Sequence, residues 1–168
     1  MRRLVRLTVL ALALAVPPVG FAMGGGADDG TLSVKAGIGR VFTNITGTAV
    51  GRLSKGYIRV TDPNLSDGQG FDFFGCDVET DKSTSTSVCT SDGKDGVVRF
   101  RAIGGNYRIT INGSGIFLSA VGHGYATLNG AGDRPDIDFD GTYSVNDAPY
   151  RSLPNTLTAV PLASPSGG

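Results

Sequence analysis

The stretch Val97-Val98-Arg99-Phe100-Arg101-Ala102-Ile103-Gly104-Gly105-Asn106-Tyr107-Arg108-Ile109-Thr110-Ile111-Asn112 alternates apolar and polar residues on either side of a glycine pair. A period of two belongs to a strand with one face in a core, because successive side chains of an extended chain point to opposite sides. Read as a hairpin with Gly104-Gly105 as its two-residue turn, Ile103 pairs with Asn106 and Val98, Phe100 and Ala102 stand opposite Ile111, Ile109 and Tyr107. That face is expected to be core. The other face then carries Arg99, Arg101 and Arg108, with Arg101 directly across from Arg108, a like-charge pair that needs compensation.

The same alternation recurs outward from this stretch in short runs broken by Gly, Asn and Asp: 31–36, 40–50, 56–61, 70–78, 85–90, 116–120, 124–129 and 137–145. No window holds a helical period. The 26 glycines and the near absence of Glu, with Glu79 against 14 Asp, suit turns and strands. The expectation is all-β: a single antiparallel β-sandwich or barrel domain of about 8 to 10 short strands. The glycines between Asn112 and Gly132 are accounted for by tight turns and close sheet packing.

The N-terminus has the form of an export signal. Arg2, Arg3 and Arg6 precede the apolar run Leu7 to Val16, Pro17 and Pro18 end that run, and Gly20 and Ala22 offer small residues for cleavage. The organisation expected is a signal peptide over 1–22, a flexible leader over 23–30, a β domain over 31–157 and a disordered tail over 158–168. No later segment approaches the ~20 consecutive apolar residues of a transmembrane helix. Without the signal the chain carries 12 basic and 15 acidic residues, which argues against a general nucleic-acid binder. Cys76 and Cys89 are the only cysteines and read as one disulfide in an oxidising compartment.

The run from Gly96 to Gly105, Tyr107-Arg108-Ile109-Thr110, Gly115-Ile116, Leu118 to Gly122, Gly141-Thr142-Tyr143-Ser144, Pro149-Tyr150 and Leu153-Pro154 resemble a group of small exported proteins of actinobacteria. The resemblance covers the C-terminal half. It implies a compact β domain in an extracellular or cell-envelope setting and carries over no catalytic or binding residue. Asp133 to Asp140 looks like an insertion relative to that group.

Two surface features carry candidate chemistry. Arg99, Arg101 and Arg108 could receive an anion, such as a phosphate-bearing wall polymer or the acidic face of a partner, through bidentate guanidinium contacts. Alternatively a strand carrying Asp136, Asp138 and Asp140 lies beside them and neutralises them. Asp136, Asp138, Asp140, Gly141 and Asp147 also fall on positions 1, 3, 5, 6 and 12 of a calcium loop. Against calcium stand Asp at position 12, apolar Ile137 and Phe139 between the ligands, and the absence of helical flanks. The plainer reading is a strand with Ile137 and Phe139 facing inward. Catalysis has less to rest on, since His123 is the only histidine and no nucleophile motif is present. The sequence thus points to an exported non-catalytic domain that binds an extracellular or envelope partner, with a calcium-stabilised domain and a secreted hydrolase as alternatives.

Overall fold

The computed structural model describes residues 29–79, 85–94, 96–132 and 139–163; the proposed signal and most of the leader lie outside them. The described residues form nine strands and no helix: β1 (Gly30–Leu53), β2 (Lys55–Thr61), β3 (Gly70–Phe74), β4 (Val78–Glu79), β5 (Thr86–Ser91), β6 (Val98–Gly130), β7 (Thr142–Val145), β8 (Arg151–Ser152) and β9 (Thr158–Leu162). All pairings are antiparallel, within one sheet. The expected fold class holds. The path through the sheet ends at β4 and β8, so among the described residues it is open and the barrel form is not adopted.

Two of the strands are far longer than expected, and this revises the central hairpin. β6 runs for 33 residues without turning back, so Gly104-Gly105 is no hairpin turn. Residues 98–102 and 105–113 instead pair in sequence with one partner, from Leu53 opposite Val98 to Gly39 opposite Gly113. Ile103 and Gly104 bulge opposite Thr48, and Gly104 takes a φ of +73°. Arg101 consequently does not face Arg108. The assignment of faces survives, because Val98, Phe100, Ala102, Tyr107, Ile109 and Ile111 are all buried.

The first and last strand boundaries also move. β1 begins at Gly30, at the end of the expected leader. β9 occupies five residues of the expected disordered tail, pairing Gly124 to Leu128 of β6 and burying Leu162.

Pairing between β1 and β6 organises the molecule. Residues 38–53 of β1 lie between 98–114 and 117–130 of β6, and residues 30–34 return to the outer side of 118–122. Val121 therefore has Thr31 on one side and Thr48 on the other. Ile58, Ile109, Ile111 and Leu128 are almost fully inaccessible. With no helix among the described residues to cover them, the sheet must curve over its own inner face.

Transverse rows of glycine mark where it bends. Gly56, Gly113, Gly39 and Gly130 stand opposite one another on successive strands, and so do Gly105, Gly47, Gly122 and Gly30. At Gly113 the backbone has a φ of +149° and packs so closely on β2 that a Cβ would overlap the Lys55 carbonyl oxygen. Glycine in a strand interior permits this bend and close approach without ending the ladder.

Cys76 and Cys89 are disulfide-bonded, with Cα atoms 5.4 Å apart. Cys89 is buried on β5, so the bridge ties the segment after β3 to the strand beside β2.

Candidate functional site

Outward-facing positions at one end of the sheet bring cations and aromatic rings into a single row. Phe74 of β3 pairs with Arg99 of β6, Arg99 with Arg52 of β1, and Arg52 with Phe117 further along β6. The like-charge pair that sequence placed at Arg101 and Arg108 is thus Arg52 and Arg99. Arg52 is partly offset by the Phe117 ring, whose centroid lies 4.0 Å from the guanidinium carbon. Among the described residues neither Arg52 nor Arg99 forms an ion pair.

The adjacent row is compensated differently. Arg101 Nε donates to Asp72 Oδ2 at 2.9 Å across the β3–β6 ladder. Both side chains are about half exposed, so the pair contributes at most about 1 kcal/mol. Arg108 lies elsewhere. It pairs with Asn44 and Thr61, seven residues along β6 from Arg101. The three-arginine cluster therefore separates into Arg99 and Arg101 at one end and Arg108 well away from them.

A groove of about 520 Å³ crosses the row. Lys35, Arg52 and Arg99 line it together with Phe74, Phe100, Phe117, Val50 and Leu118, and among the described residues no carboxylate lines it. Lys35 Nζ sits 4.0 Å from the centroid of the Tyr150 ring. The Tyr150 hydroxyl shares a 2.8 Å hydrogen bond with Ser33 Oγ, and this bond and the Lys35 ammonium lower its pKa below the ordinary tyrosine value. Three cations beside apolar walls can hold an anion, because guanidinium forks match carboxylate and phosphate oxygens.

Nothing in the sequence alone singles out Lys35, Arg52, Phe74 and Phe117. Alternation around Arg52 and Phe117 suggests that both point outward, but only the β1–β6 register places them together.

The calcium set does not assemble among the described residues. Asp136 and Asp138 lie outside them. The Asp140 carboxylate accepts from the Gly132 amide at 2.9 Å. Asp147 is carried to the far end of β7, where its carboxylate accepts from the Thr31 hydroxyl. The four extended residues of β7 intervene, at ~3.3 Å per residue, so Asp140 and Asp147 do not share one compact loop. Asp140 is not in a strand, and Phe139, expected inward, is exposed.

His123 is largely exposed, with Nδ1 3.3 Å from Asp29 Oδ1. No family model matches the chain, and neither a search of curated proteins nor one of solved structures finds a similar protein.

Proposed function

We propose that this protein is an exported, non-catalytic β domain that binds an anionic component of the cell envelope through the Arg52–Arg99 row. The observation that carries this is the pair of adjacent arginines on a groove lined, among the described residues, by three cations and no carboxylate. A row of like charges is destabilising across strands unless an anion or a ring offsets it. Of the two, among the described residues, Arg52 alone has a ring close beneath it. Export rests on the signal-like N-terminus, and the disulfide suits an oxidising compartment. No described helix is long and apolar enough to cross a membrane.

The test is retention on an immobilised polyphosphate, a model for a phosphate-bearing wall polymer, at low salt. The secreted protein is expected to bind despite an excess of acidic residues, and Arg52→Ala with Arg99→Ala to elute at lower salt. Arg108→Ala should elute with the parent. Equal losses from Arg108→Ala and from the double variant would assign retention to overall charge and reject the site.

A further inference from the structure

Resting on the anion-binding reading above, we infer that the ligand is a single-chain anionic amphiphile, whose headgroup meets Arg52 and Arg99 while its apolar chain lies along the groove.

Most of what separates the cations is carbon. The Phe117 ring underlies Arg52, and Val50 and Phe74 on the groove wall are each close to half exposed. A bare phosphate would use the guanidinium groups and leave these surfaces in water. Exposed apolar surface gathered around a concavity marks a ligand or partner site. A volume of about 520 Å³ lies within the range of small-molecule sites, which take one chain and its headgroup.

Charge sets the orientation. A second hollow of about 450 Å³ shares Ser33 and Ser119 with the first and extends toward Val121 and Pro149, with Asp147 on its wall. Arg52 and Arg99 line the first hollow and this carboxylate the second, with Lys35 against Tyr150 between them. An anionic head is therefore drawn to Arg99 and repelled from Asp147, and the chain runs past Ser119.

The experiment is calorimetric titration of the secreted protein with dodecyl phosphate below its micellar concentration, inorganic phosphate and the neutral dodecyl maltoside. Vesicles with and without phosphatidylglycerol form a fourth arm. Dodecyl phosphate is expected to bind about 100-fold or more tighter than inorganic phosphate, since each buried methylene adds a roughly constant increment. Arg99→Ala should weaken it by roughly tenfold, the loss of a charge-assisted contact. Ser119→Phe, an exposed substitution in the path of the chain, should bring dodecyl phosphate down toward the affinity of inorganic phosphate.

Equal affinity for dodecyl and inorganic phosphate would overturn the amphiphile while leaving the anion site standing. Equal affinity for dodecyl phosphate and dodecyl maltoside, insensitive to Arg99→Ala, would overturn both. Retention on phosphatidylglycerol vesicles without binding of the monomer would replace the groove ligand with a bilayer surface and overturn the inference. No binding in any arm would reject the anion site as well.

Discussion

Single residues act in this molecule mainly through how closely two backbones approach. Gly113 and Gly70 both sit in ladders, yet they differ in what a methyl group would meet. At Gly113 it would overlap the Lys55 carbonyl on a backbone that L-residues rarely adopt; at Gly70 nothing lies within 4 Å and φ is not positive. Gly113→Ala is expected to destabilise by at least about 3 kcal/mol, since backbone strain and a steric clash add. Gly70→Ala should stay within about 1 kcal/mol, because a compatible site gains from the stiffer unfolded chain. Denaturant melts of the two variants check this, and similar losses would remove the close approach as the cause. Tyr107 shows a second kind of dependence on position. Its side chain is buried and its hydroxyl donates to the carbonyls of Gly70 and Ile103, and desolvation raises its pKa.

Among the elements, the informative contrast is between strand identity and strand connection. The chain over 97–112 shows its faces plainly, because alternation alone decides them. It does not show whether the chain reverses. A two-residue turn and a one-residue bulge at Gly104 both shift the apolar positions from even to odd numbers, and both put Phe100 and Ile109 into a core. The distinction lies in the partner, β1, 45 or more residues away, and no local pattern encodes it. The same limit hid the groove. Arg99 was recognisable as an outward cation, but its neighbours Arg52 and Phe117 come from pairings with distant segments. Thr158 to Leu162 is hidden for another reason: a five-residue strand ending before a Ser/Pro/Gly-rich stretch has too little alternation to stand out. Its contribution is measurable. A chain ending at Leu157 loses the burial of Leu162 and leaves Gly124 to Leu128 as an open edge, so its melting midpoint should fall by roughly 5 to 15 °C. An unchanged midpoint would make β9 dispensable.

For the molecule as a whole, the dominant contact is between two segments that lie far apart in the chain. Every pairing of β1 with β6 closes a large loop before it is rewarded, and among the described residues no helix is present to form early. Refolding of the oxidised protein, followed by stopped-flow fluorescence of its tyrosines, is therefore expected on the millisecond-to-second scale of non-local β domains. A dominant phase faster than about 1 ms would show that local structure forms the barrier-crossing nucleus instead. The disulfide does little to relieve this, since it joins β5 to the segment after β3 and leaves the β1–β6 loop open.

The glycine rows carry one more consequence, for how such a sheet can change over generations. Gly39 and Gly47, Gly105 and Gly113, and Gly122 and Gly130 are each eight residues apart on neighbouring segments. A single-residue insertion inside any one of these intervals would slide a side chain into a place that only a hydrogen atom fills, and would turn the following residues to the wrong face. Lengthening would have to occur in three segments at once. Variation in chain length is thereby confined to the connections, and the span between the two bends becomes a fixed dimension of the protein.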